Sequence, residues 1–174
     1  MKINTSLSVV IRIILWLTML LGGAVLAISI DKNSPLFQSY LFHLLSAFLG
    51  LIVTILAFRA AANGGKELTK GRVGDIPRLE TNKLVTSGIY GCMRHPMLFG
   101  LTLLPFGWAL LLGSPTFITI IAPLEMFFII FMVIIFEEME VKRKFPQEYE
   151  IYKEKVPMVS FKRSCLRELF LTLR

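Results

Sequence analysis

Apolar residues in this chain gather into long unbroken runs, parted by short polar breaks rich in Gly, Pro, Asn and Ser. From Ser8 to Ile30 the only charge is Arg12. At about 1.5 Å per residue such a run crosses the hydrocarbon of a bilayer, so residues 8–30 are read as a first transmembrane helix. The run is too long for a signal peptide and lacks a small-residue cleavage site before Asp31. Asp31-Lys32-Asn33-Ser34-Pro35 provides a turn, and its proline suits the start of a second span over 36–62. Only His43 and Arg59 interrupt that span, with Arg59 snorkelling at its end. Residues 63–95 then read as a long aqueous loop, punctuated by Asn63-Gly64-Gly65, Gly71, Gly74 and Pro77. Loops of that length inside a compact protein are functional or disordered.

Past this loop the apolar pattern resumes. Residues 97–112 form a third span of about 24 Å, short for a bilayer core of about 30 Å, before Gly113-Ser114-Pro115 forces a turn. Residues 116–136 make a fuller fourth span that carries Glu125. The pair is a helical hairpin. In the tail, 140–174, two amphipathic helices follow. Phe145, Tyr149, Tyr152 and Val156 share one face of the first. In the second, Phe161, Cys165, Leu166, Leu169, Phe170 and Leu173 lie opposite Lys162, Arg163, Arg167 and Glu168, the pattern of a helix lying in the interface. The expected fold is all-α: one polytopic membrane domain over 1–174, with about four transmembrane helices and amphipathic C-terminal helices.

Composition agrees and adds an orientation. With 55% hydrophobic and 18% charged residues, the chain holds more apolar surface than one soluble core of its size can bury. The 19 Lys and Arg against 12 Asp and Glu are concentrated in 63–95 and 140–174. That concentration fits an anionic leaflet and not nucleic acid, for which no reading motif is present. Four spans put both basic blocks on one side, and the positive-inside rule makes that side cytoplasmic. Cys92 and Cys165 show no zinc spacing and are read as ordinary thiols, with no metal site.

Four groups of residues carry candidate chemistry. Pro96 biases His95 toward an extended backbone and lets a helix start behind it, so Arg94 and His95 face one corner with free backbone N–H groups. Glu137 and Glu138 sit at a helix C-terminus, which favours cations, and therefore want a positive partner such as Arg94 or Lys142. Tyr149 and Tyr152 share a face that covers a ligand or docks the tail on the bilayer. Within the bilayer, His43 and Glu125 lie at matched depth, and a hydrogen bond between them is expected. Dinucleotide and phosphate-loop signatures, a zinc helix and a nucleophile elbow are all missing from the sequence.

The order Gly88, Tyr90, Arg94, His95, Pro96 and Gly100, followed by an apolar hairpin, Glu137-Glu138, and Phe145-Pro-Gln-Glu-Tyr-Glu-Ile-Tyr152 leading to Val156-Pro157, resembles the membrane methyltransferases. These are the isoprenylcysteine carboxyl methyltransferase and phospholipid methyltransferase group, and the resemblance covers roughly residues 65–160. It implies an S-adenosylmethionine site on the cytoplasmic side and a lipophilic methyl acceptor, either an isoprenylcysteine-like carboxylate or a phospholipid amine. Carried over, Tyr90, Arg94, His95, Pro96, Glu138, Tyr149 and Tyr152 would bind the cofactor, and Arg94, Glu137 and Glu138 would serve the transfer. The chain departs from the family pattern at Leu98, where a tyrosine is common, and at Met158-Val159-Ser160-Phe161, where an arginine and a proline often stand. Those departures bear on acceptor choice. Two other classes share such helices, an NADPH-dependent sterol-type reductase and a non-enzymatic membrane protein.

Overall fold

Residues 5–74 and 81–171 are described by a computed structural model, with side chains from Ile13 onward. Pro77 of the loop and Leu173 of the tail face lie outside that range. Among the described residues every regular element is a helix, without a strand: α1 (Thr5–Asp31), α2 (Tyr40–Leu68, continued by the 3-10 turn Thr69–Gly71), α3 (Ile89–Cys92) and α4 (Pro96–Leu112) come first. They are followed by α5 (Phe117–Lys144), α6 (Pro146–Lys155) and α7 (Arg163–Leu171). α5 is continuous through two π turns, Phe117–Ile121 and Val133–Glu137.

Three stretches, Ile13–Asp31, Tyr40–Gly71 and Phe117–Lys144, are long and apolar enough to cross a membrane, and α4 is a shorter apolar helix. Their outward residues, among them Val25, Leu41 and Phe48, are exposed apolar side chains, as lipid contact requires. Helix ends differ from the hydropathy boundaries. α2 starts at Tyr40 and not at Leu36, where Ser39 Oγ accepts the Phe42 N–H. It also runs past Ala62 to Leu68, which shortens the aqueous loop. Helical hydrogen bonding does not stop where the bilayer does, and Gly64 is kept in the helix by packing, since a Cβ there would lie 2.6 Å from Met97 Cγ.

The chain divides into two compact units. The first comprises residues 1–54 and 105–126. Its core is built from small residues around one aromatic: Ala24, Ala27, Ala109, Ala122 and Phe117. Small side chains let helix backbones approach, which is the main source of packing energy between apolar helices in lipid. At Gly50 the approach is so close that a Cβ would lie 2.6 Å from the Leu111 backbone nitrogen. Left-handed Gly113 ends α4, and the buried Asp31 carboxylate holds the following turn by accepting from the Ser114 and Thr116 hydroxyls and, at 3.0 Å, from the Thr116 N–H. The expected pair of His43 and Glu125 does not form. His43 Nδ1 bonds the Ser39 carbonyl at 3.1 Å, and its ring packs against Gly113. Glu125 lies beneath Gly23 of α1 with neither carboxylate oxygen hydrogen-bonded. Equal depth places two residues on one level of a bundle but says nothing of the direction in which each helix turns them.

The second unit comprises residues 55–104 and 127–174. Here α2 and α4 meet at Gly100, where a Cβ would stand 2.6 Å from the Ala57 carbonyl oxygen. Ala60, Val85, Ile89, Tyr90, Met93, Cys165 and Leu169 form its core. The tail helix α7 therefore buries Cys165 and Leu169 of its apolar face against protein, while Leu171 and the preceding Phe161 stay exposed. It is anchored at its C-terminus, where Asn63 Nδ2 donates to the Leu169 carbonyl at 2.7 Å and Arg59 Nη1 to that of Phe170 at 3.4 Å. Cations at a helix C-terminus offset its dipole. Arg59, expected at the lipid surface, is spent here. The cysteines are also not free thiols: Cys92 and Cys165 form a disulfide with Cα atoms 5.6 Å apart. Their sequence separation of 73 gave no local signal of it.

Candidate active site

The corner at residues 88–96 is made by three local devices. Gly88 has φ +56°, a left-handed conformation that demands glycine, with the Glu67 carboxylate close against it. The single turn α3 follows, and at Met93 the backbone becomes extended. Pro96 occupies the first position of α4, where a missing N–H leaves nothing unsatisfied. Between them the Arg94 N–H donates to the Pro157 carbonyl at 2.9 Å and the His95 N–H to that of Met158 at 3.2 Å. The tail segment thus runs alongside the motif and holds two successive side chains toward the end of α5.

What they meet there is Glu138. Arg94 Nη1 donates to Glu138 Oε1 at 2.6 Å and to the Tyr149 hydroxyl at 2.8 Å. His95 Nε2 lies 3.3 Å from the same Glu138 oxygen, which assigns the imidazole hydrogen to Nε2. Lys153 Nζ stands 3.8 Å from Glu138 Oε2, and His95 Nδ1 3.8 Å from Glu137 Oε2. The Arg94 and Glu138 side chains are 9% and 14% exposed, so the pair works in a medium where ionic hydrogen bonds are strong and their loss is costly. Burial holds the His95 pKa below its ordinary value of 6.5, with Glu138 pulling the other way, so the ring is neutral near pH 7. Burial likewise pushes the Tyr149 phenol up to about 12, with Arg94 opposing. It stays a neutral phenol.

Arg94, His95, Glu138 and Tyr149 are therefore in direct contact, and Glu137 flanks them. Tyr90 and Tyr152 belong to the layer behind: the Tyr152 hydroxyl donates to the Tyr90 carbonyl at 2.5 Å, and both rings are buried. Pro96 is buried and contributes shape. Lys142 does not serve Glu138 but pairs with Glu150 at 2.5 Å. Lys153 was not singled out in the sequence, although it lies one helical turn beyond Tyr149 on the same face. The backbone partners at Pro157 and Met158 had no residue-type signal at all.

One buried atom at this site has no partner: Arg94 Nε. Beside the same corner a polar cleft of about 200 Å³ opens, lined among others by Asn63, Lys66, Glu67, Lys70, Ser87 and Glu168. An unpartnered guanidinium donor, a carboxylate, a neutral imidazole and a phenol form a donor set suited to a ligand that carries both charge signs and a heterocycle. The family model described as phospholipid methyltransferase matches residues 40–148, which takes in Arg94, His95, Glu137 and Glu138 and stops one residue short of Tyr149. No curated protein and no solved structure matches the chain.

Proposed function

Because the chain belongs to the phospholipid methyltransferase family, we propose that it is an integral membrane methyltransferase that uses S-adenosylmethionine and acts on a lipophilic acceptor, with an amine of a phospholipid headgroup favoured over a prenylcysteine carboxylate. The observation that carries this reading is the convergence of Arg94, His95, Glu138 and Tyr149, with Arg94 Nε buried and unpartnered. In this reading Arg94 Nε receives an oxygen of the cofactor's carboxylate, Glu138 faces its ammonium, and His95 Nδ1 is left as an acceptor for the adenosine part. Tyr90, Tyr152 and Pro96 hold the walls in place. The cofactor supplies a methyl group on a sulfonium, already activated for in-line displacement. The protein's task is then to orient donor and acceptor and to exclude water. Glu137, 43% exposed, is the candidate for taking the proton that an amine acceptor must lose. A carboxylate acceptor needs no such base. The amine is favoured by the family match and by Met158-Val159-Ser160-Phe161, which departs from the prenylcysteine pattern. The whole chain serves as one membrane-embedded domain, with the site on the cytoplasmic side.

The test is thermal stabilisation of the detergent-purified protein by S-adenosylhomocysteine, set beside NADPH. A rise in melting temperature with the first and not the second is expected. His95→Ala and Glu138→Ala should abolish that rise while the proteins still insert. A rise with NADPH alone would make the protein a reductase, and retained binding in both variants would overturn the site assignment.

A further inference from the structure

Three attachments in a row tie the tail to the motif. Arg94 and His95 donate their backbone N–H groups to Pro157 and Met158, and Cys92, two residues before Arg94, is bonded to Cys165 of α7. α7 is anchored in turn by Asn63 and Arg59 at its far end. The segment from Pro157 to Cys165 is therefore a strap across the functional corner, and the disulfide is its one covalent fastening. Cys165 is buried, whereas Cys92 is part-exposed, so the bond offers one sulfur to an attacking thiolate. Both cysteines lie in the basic blocks that the charge asymmetry assigns to the cytoplasm. Lasting disulfides are rare in that compartment, and those that form there are mostly redox-responsive.

We propose that Cys92–Cys165 is a reversible redox latch that sets how tightly the tail strap holds the Arg94-His95 corner. The exchange partner is a low-molecular-weight thiol. In reduction, one thiolate attacks Cys92 Sγ and releases Cys165 as a thiol; a second thiol then resolves the mixed disulfide. Two thiols are oxidised to one disulfide, and Cys92 and Cys165 each gain a hydrogen. In the oxidised state the strap is fastened and the corner is held for binding. In the reduced state only non-covalent ties retain it: the two backbone hydrogen bonds, the packing of Leu169, and the Asn63 and Arg59 bonds at the end of α7.

The latch does not depend on the methyltransferase reading, and its test is chosen accordingly. Hydrogen exchange at the Arg94 and His95 amides is measured on the full-length protein in detergent, with and without dithiothreitol. Reduction should speed their exchange about tenfold, as a fastened segment becomes a locally opening one. Cys92→Ser with Cys165→Ser should exchange like the reduced protein and ignore dithiothreitol. Unchanged exchange on verified reduction, or a double variant that behaves like the oxidised protein, overturns the latch. Alkylation after equilibration in graded glutathione buffers should show the bond partly formed, and a bond complete across the whole series makes it a permanent staple. S-adenosylhomocysteine affinity, measured in parallel, should weaken about fivefold on reduction. If the amides respond but neither form binds that ligand, the latch stands and the cofactor assignment fails.

Discussion

Arg94 carries more of the site than any other side chain, because a planar guanidinium can bond Glu138 and Tyr149 at once and still present Nε. Arg94→Lys keeps the charge but not the fork, so it should keep most of the stability and lose cofactor binding. Arg94→Ala leaves the Glu138 carboxylate largely buried without its chief cation and should cost about 3 kcal/mol of stability, read as a lowered melting temperature in detergent. His95 gives a pH signature. Its folded pKa is lowered, so below about 6.5 the unfolded chain binds more protons than the folded one, and stability must fall as pH falls. Melting temperatures between pH 8 and pH 5 should drop more steeply for the parent than for His95→Gln, and equal slopes would show that His95 does not titrate as argued. Much of this was legible beforehand. Residue type and placement singled out Arg94, His95 and the carboxylate pair, but the helix end expected at Glu137-Glu138 is not there, because α5 runs on to Lys144, and it is burial that calls for the cation at Glu138. Which cation answered, and that Tyr152 bonds a backbone carbonyl behind the site, depended on side-chain directions that spacing does not encode.

The elements were legible to the extent that hydrophobic length fixes them. Four apolar runs became helices, but α2 and α5 continue past the bilayer boundaries that hydropathy marks. The glycines give the clearest test at this scale. Gly22 and Gly100 both sit in helices, yet a Cβ at Gly22 meets nothing within 4 Å, whereas at Gly100 it meets the Ala57 carbonyl oxygen at 2.6 Å. Backbone cannot turn aside as a side-chain tip can, so Gly100→Ala must push α4 off α2, at about 1–3 kcal/mol. Gly22→Ala should leave the melting temperature unchanged or slightly raised, because alanine is the better helix former. Equal effects at the two positions would mean that α2 and α4 do not approach as closely as described. The amphipathic tail shows the opposite limit. The pattern of α7 marked one apolar face, but a protein core and a lipid interface ask for the same pattern, so the packing of Cys165 and Leu169 with Ile89 and Ala60 could not be read from it.

For the whole molecule the sequence carries one global signal, the charge asymmetry between its breaks. The turns at 31–35 and 113–115 contain Lys32 as their only base, whereas the other 18 of the 19 Lys and Arg lie elsewhere, mostly in the two basic blocks. Short basic segments resist translocation, so the expectation is that residues 63–95 and 140–174, and with them Arg94, His95 and Tyr149, face the cytoplasm. The expectation is checked in a Cys92→Ser, Cys165→Ser background by placing single cysteines at Ser34, Lys70 and Lys162 and adding an impermeant maleimide to intact cells. Ser34→Cys should label at once, and Lys70→Cys and Lys162→Cys only after the membrane is opened. The reverse pattern would remove the site from the compartment where S-adenosylmethionine is made. It would also turn the disulfide from a latch in a reducing medium into an ordinary extracytoplasmic bond, so this one measurement bears on the cofactor and the strap together.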